Sequence, residues 1–350
     1  MARKNTALLF SLFFVSVILL FGCKKDDPDT KYLFGSLAFE LPSYSFPGEV
    51  FDIEATGISK PGDDSVQYVF SGKYFTPDTI VGKKGTVKVP DSLGTYSLTL
   101  TASAEGYATS SINRTTTVIH KQYASMIRDI TLPADSMTDP RDGHVYYYKR
   151  FGSLDWFVQN ANWDGVGLTY KNTPALGYMM GRLYTWNEAV RGQETSEILS
   201  EEFSGIGNGP QGVCPPGWSL PTAEDWADLA STFSDAPRHF LDPWDGLGQE
   251  FSADATINKE KMWKYHPDNI KTNTTGWNAL PAGYAILEGD TFSGFGQTSF
   301  WWAACSDGDM GYYRLIHYAM DRFSCATADK NAVYASVRCV RKPDEATQTE

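Results

Sequence analysis

All ten tryptophans of this 350-residue chain lie between Trp156 and Trp302, and four of its five cysteines lie between Cys214 and Cys339. Residues 30–135 contain neither. Tryptophan brings a large apolar surface to a core, and paired cysteines fix distant backbone covalently, so the two halves must build their interiors from different materials. The chain therefore divides into two modules, and its length gives each enough residues for a core of its own. The net charge of −12 argues against nucleic acid or an anionic membrane surface as the partner, because both require clustered positive charge.

The tryptophan-free half reads as short strands between turns. In "TYSLTLTAS" (95–103), Tyr96, Leu98, Leu100 and Ala102 face one way while Ser97, Thr99, Thr101 and Ser103 face the other. That period of two belongs to a strand with one buried face. "VFDIEAT", "VQYVF", "GTVKV" and "SINRTTTVI" behave similarly, and "KPGDD", "DSLG" and "AEGY" are turns. About seven strands in about 90 residues predict an all-β immunoglobulin-like sandwich over residues 33–120. "GTYSLTLTASAEGYATSS" also resembles the late strands of bacterial immunoglobulin-like and PKD-type modules, without the aromatic-glycine-aspartate signature of the latter. The expected role is a spacer.

The first residues, "MARKNTALLFSLFFVSVILLFGC", place Arg3 and Lys4 before an apolar run from Ala7 to Phe21, then Gly22-Cys23. This is a secretory signal over residues 1–22, too short and too soon polar for a good spanning helix. "LFGC" resembles the lipobox of bacterial lipoproteins, which implies lipid on Cys23 and durable attachment to a membrane. Without residues 1–22, 28 Lys+Arg stand against 42 Asp+Glu, a net of −14. The lipidated tether 23–32 holds "KKDDPDT", whose basic-then-acidic order resembles the surface-export signal of Bacteroidetes lipoproteins and equally fits a solvated linker. The expected location is the outer membrane, lipid-anchored and facing the cell exterior.

A polar connection, 121–137, leads to the second module. In "CPPGWSLPTAEDWADLAS" (214–231), Thr222 can cap a helix with Asp225 at its third position, behind the rigid Pro221. Trp226, Leu229, Ala230 and Phe233 then form one apolar helical face. "GRLYTWNEAVRG" (181–192) predicts a second short helix, and strands dominate after residue 276, giving an α+β domain. The blocks "TDPRDGHVYYYKRFGSLDWFVQNANWD", "GRLYTWNEA", "CPPGWSLPTAEDW", "NALPAGY", "FWWAAC" and "SVRCVRK" resemble the Fibrobacter succinogenes major paralogous domain over residues 138–342. The resemblance implies a C-type-lectin-like fold, with more distant similarity to formylglycine-generating enzymes. It implies surface lipoproteins of gut Bacteroidetes whose activities are mostly unknown. Residues 343–350 are read as a disordered tail.

Four exported cysteines permit three pairings. The nested order of the lectin-like fold implies Cys214–Cys339 outside and Cys305–Cys325 inside. For catalysis the inventory is poor. Formylglycine-generating enzymes bind copper through a C-x4-C pair, and Cys325 has no such neighbour in "RFSCATADKNAVYASVRC". His144, His239, His266 and His317 lack metal-ligand spacing, and no G-x-S-x-G, P-loop or H-E-x-x-H occurs. Asp307, Asp309 and Asp321 are turn formers before they are cation ligands. The calcium and sugar motifs of C-type lectins, Trp-Asn-Asp and Glu-Pro-Asn, are also missing. No catalytic residue, metal or cofactor is expected.

What remains is binding. Trp244 in "LDPWDGLG" and Trp263 in "EKMWKYHPDN" lie in the long polar insert outside the family blocks, where a ring either stacks on sugar or packs the long loop against its own domain. Asp245, Tyr265, His266 and Asp307 would supply hydrogen bonds. The leading expectation is a lectin-like binding or adhesion module for a glycan or a surface protein, with no role for nucleic acid. The alternatives are a structural subunit of a surface or appendage assembly and, remotely, a formylglycine-generating-type oxidase.

Overall fold

The structure, a computed structural model, describes residues 30–59, 65–120, 130, 132–133, 135–192, 203–257, 260–286 and 291–343. It is β-rich throughout. The alternating segment of the first module is the strand Gly94–Ser103, with Leu98, Leu100 and Ala102 buried and Ser97 exposed. It is central to a five-stranded sheet in the order Tyr44–Ser45, Ser110–Val118, Gly94–Ser103, Gln67–Ser71, Thr79–Val81. Leu100 stands opposite Ile112 on one side and Phe70 on the other. Two further antiparallel pairs, Val50–Glu54 with Lys84–Lys88 and Phe34–Ala38 with Thr56–Ser59, bring Ile53, Val87 and Leu37 into the same core.

The second module is closed by its own ends. A four-stranded antiparallel sheet runs Ser136–Thr138, Val145–Phe151, Leu154–Phe157, Val340–Arg341, so that Trp156 stands opposite Val340. A three-stranded sheet follows, Thr298–Asp307, Met310–His317, Phe323–Asp329, with the middle strand paired to both others. The two expected helices are Trp186–Arg191 and Ala223–Ser231, each with a complete capping box. Trp226, Leu229 and Ala230 are buried as the apolar face requires, and Phe233 packs at its margin. A third helix, Pro174–Met180, has little sequence signal beyond the proline in its first turn.

Every one of the ten tryptophans is buried, none more than 9% exposed. Among them lie two buried arginines. Arg338 donates to Asn160 Oδ1 at 2.9 Å and to the carbonyls of Phe157, Trp277 and Asn278, with its guanidinium 4.0 Å from the Trp277 ring. A buried charge is tolerable only when its donors are satisfied in this way, and the aromatic face adds a cation–π contact.

The outer disulfide is present: Cys214 and Cys339 are bonded, with Cα atoms 5.8 Å apart. Gly212, two residues before it, has φ +53° and an added Cβ would fall 1.9 Å from the Ala189 carbonyl oxygen, so only glycine fits this turn. The expected inner disulfide is not formed, and this corrects the pairing implied by the lectin-like order. Cys305 and Cys325 are thiols on strands that both flank Met310–His317. Two strand spacings come to about 10 Å, beyond the roughly 7 Å limit for bridged Cα atoms. Cys325 pairs in register with Arg314, and its thiol is hydrogen-bonded to that guanidinium.

The capping aspartate makes a pH-dependent contribution. Burial pushes the Asp225 carboxyl up to about 6, although the N–H groups of Thr222 and Gly207 pull it down. Its folded value lies above its unfolded one, so the folded state holds the proton more tightly. Stability from this group is full at low pH and is lost as pH rises through about 6. Between pH 4 and pH 7, the wild type should therefore lose on the order of 2 kcal/mol relative to Asp225→Asn in urea unfolding. A pH-independent difference would contradict the raised carboxyl.

The modules touch. Phe46 and Ile119 of the first are buried against Leu176 and Met179 of the second, and Phe46 meets Tyr178 edge-on at 5.1 Å. No helix among the described residues is long and apolar enough to cross a membrane. Cys23 and its tether through residue 29 lie outside the described residues.

Candidate functional site

The two tryptophans expected to stack on sugar are inside the protein. Trp244 exchanges both backbone hydrogen bonds with Phe323, at 3.2 and 3.0 Å, which ties "PWDG" to the sheet and turns the ring into the core. There its Nε1 donates to the His239 carbonyl at 3.0 Å, and the Arg314 guanidinium lies 3.3 Å from the ring centre. Trp263 is 4% exposed and donates to the Ala279 carbonyl at 3.0 Å. Packing against the domain wins over display in both cases, because each indole N–H finds a backbone carbonyl of the domain.

The polar residues of the expected site divide. Asp245 is exposed and pairs with Arg322 at 3.0 Å. Tyr265 is 73% exposed, enough to offer a ring face to a ligand. His266 is half-buried, and its Nδ1 accepts from the Asp268 N–H at 3.3 Å. Asp307 is elsewhere: it faces Met310 at one end of the long hairpin, whereas Thr298 faces His317 at the other. Seven residues of strand separate Met310 from His317, roughly 23 Å. One ligand of ordinary size cannot touch Asp307 and His266 together.

Three segments do converge at the His317 end. Residues 264–272 form a loop anchored by Lys264 N–H on the Gly296 carbonyl (2.7 Å) and Thr272 N–H on the Gln249 carbonyl (3.1 Å). The turn after His317 is held to it by Asn269, whose Nδ2 donates to the carbonyls of Tyr318 (2.7 Å) and Met320 (2.5 Å). The 244–250 segment joins them through Gly248 N–H on the Asp321 carbonyl at 2.8 Å. The resulting face carries Lys264, His266, His317 and Tyr318, with the exposed Tyr265 on the same loop, and Tyr318 packs against the core cluster that holds Trp263 and Trp244.

Tyr318 is its centre. The Lys264 ammonium lies 4.6 Å from its ring, His317 4.6 Å and His266 6.2 Å. Burial lowers the His317 imidazole, and Lys271, Lys264 and His266 each push it further down. At neutral pH its ring is therefore more fully neutral than an ordinary histidine, able to donate and accept at once. Lys264, Lys271, His317 and Tyr318 escape a search that follows tryptophans. The available signal is the aromatic-cationic run "KYHPDNIK" and the "HY" pair in "RLIHYAM". Nothing local says that these two stretches, some 50 residues apart, meet.

Among the described residues no three His, Cys, Asp or Glu side chains gather as a metal site. What this face can do is hold a polar, ring-shaped molecule by stacking and hydrogen bonding. The module is tryptophan-cored, disulfide-closed and β-rich, and this face lies on loops held by that base, where binding residues are commonly found. The chain belongs to the Fibrobacter succinogenes major domain family, which matches residues 150–341, more than half of its length. No curated protein matches it.

Proposed function

We propose that this chain is an outer-membrane lipoprotein, lipidated on Cys23 and facing the cell exterior, that displays a C-type-lectin-like binding module packed on an immunoglobulin-like support. The module is a binder of glycan or surface protein and not an enzyme. The observation that carries the binding reading is the exposed ring of Tyr265, whose chain neighbours Lys264 and His266 both approach the Tyr318 ring, on a loop pinned to the core by Asn269. Aromatic faces with adjacent donors and acceptors suit sugar rings, whose C–H faces stack while their hydroxyls hydrogen-bond. The oxidase reading lacks support, because Cys325 has a strand between it and Cys305.

A glycan array probed with the full mature chain tests this. Tyr265→Ala and Tyr318→Ala should each weaken a bound glycan by about 1–3 kcal/mol, roughly tenfold or more, while leaving the melting temperature within a few degrees of wild type. An empty array, with a protein recovered instead by pull-down from intact envelopes, would favour the structural-subunit alternative. The anchor is tested separately. A Cys23→Ala chain should lose acyl labelling and leave the membrane fraction, and retained labelling would contradict lipidation there.

A further inference from the structure

Two lysines, Lys264 and Lys271, come to the Tyr318 face on a chain whose net charge is −12. Lys264, His266 and His317 surround the Tyr318 ring at 4.6, 6.2 and 4.6 Å. Lys271 arrives from the same loop, only 7% exposed, 5.1 Å from the Trp263 ring. Its ammonium makes no hydrogen bond to any described residue, and neither does the buried Oδ1 of Asn269 two positions earlier. The groups that push the His317 imidazole down are Lys271, Lys264 and His266. Three carboxylates lie on the neighbouring segments. Asp321 bears on Lys271, Asp245 pairs with Arg322, and Asp268 belongs to the loop itself. Burial lowers Lys271 to about 8, so it remains charged at neutral pH. A buried ammonium with no hydrogen-bond acceptor is costly, and a second lysine, Lys264, at the same face raises that cost unless an anion completes the arrangement.

We infer that this face takes an acidic glycan: a sugar carboxylate lies against Lys264, His266 and His317, the sugar ring stacks on the exposed Tyr265, and Lys271 supports the negative charge from beneath. The inference rests on the binding reading above and narrows its ligand class. The exposed tyrosine next in the chain to Lys264 favours a sugar over an acidic peptide, because a flat ring stacks well on a rigid C–H face. Screening of the exposed cations makes the attraction weaken with salt.

The test is titration of the full mature chain with polygalacturonate, with its neutral methyl ester and with dextran sulfate. Polygalacturonate should bind, the methyl ester at least tenfold more weakly, and Lys264→Gln/Lys271→Met should lose at least tenfold in affinity for the acid. Because Lys271 is buried, Lys264→Gln alone is measured too, and it should lose at least threefold without a change in melting temperature. Unchanged affinity in these variants overturns the inference. Equal binding of ester and acid, abolished by Tyr265→Ala, would make this a neutral-sugar face, sinking the anion while leaving the binding reading intact. Preference for dextran sulfate overturns the carboxylate in favour of sulfate. Failure of all three polymers overturns the acidic ligand; only an empty glycan array besides would sink the binding reading itself.

Discussion

A chain carrying Cys214→Ala and Cys339→Ala should melt roughly 10–20 °C below wild type, the largest effect expected of any change considered. The bond closes a loop of 125 residues. Loop-closure entropy for that length corresponds to about 5 kcal/mol, and for a module near 200 residues each kcal/mol shifts the midpoint by about 2–4 °C. Its position makes the loss cooperative. Cys339 precedes Val340, which exchanges hydrogen bonds with Ser219 at 2.8 and 2.9 Å and stands opposite Trp156. Without the bond, the turn that leads into helix Ala223–Ser231 and the final strand are joined by those hydrogen bonds and packing alone. Reduction of wild type should reproduce the shift, and Cys305→Ala/Cys325→Ala should not approach it. A shift under about 3 °C would mean that the loop is already closed by packing.

Trp244→Ala should destabilise the second module by about 3–5 kcal/mol, the range for deleting a large buried aromatic. The ring fills the space between Arg314, whose guanidinium lies 3.3 Å away, and Phe323, met edge-on at 5.5 Å. Its removal would leave a cavity and also strip the aromatic face from a buried cation. Urea unfolding would show this as a fall in midpoint with little change in slope. Tyr265→Ala, at an exposed position twenty-one residues on, should stay within about 0.5 kcal/mol of wild type. If Trp244→Ala proved as stable as Tyr265→Ala, the packed insert described above would be wrong.

The contrast shows what can be read in such a sequence. The strand Gly94–Ser103 and the capped helix at Thr222 were legible because each is specified within a few residues, by a period of two in one case and by Thr222 with Asp225 in the other. The family blocks and the Cys214–Cys339 closure were legible from resemblance. Trp244 was not, because its direction is set by pairing with Phe323, 79 residues away, and a tryptophan in a polar insert has no local period to betray it. The Cys305–Cys325 pairing failed for a related reason: cysteine order does not reveal that another strand runs between them. Of the expected site, Tyr265 and His266 share the 264–272 loop, Trp244 and Trp263 are buried in the core, and Asp307 belongs to the opposite end. Lys271 and His317 became visible only as groups whose charge and burial need explaining.

Hydrogen exchange on the full mature chain, with and without a saturating pool of array glycans, tests the binding face most directly. Occupation should slow exchange at residues 264–272 and 317–322, the two segments that Asn269 ties together, and leave residues 30–120 unchanged. Protection confined to the first module or to the Asp307 end of the hairpin, or no protection at any concentration of the pool, would contradict the account.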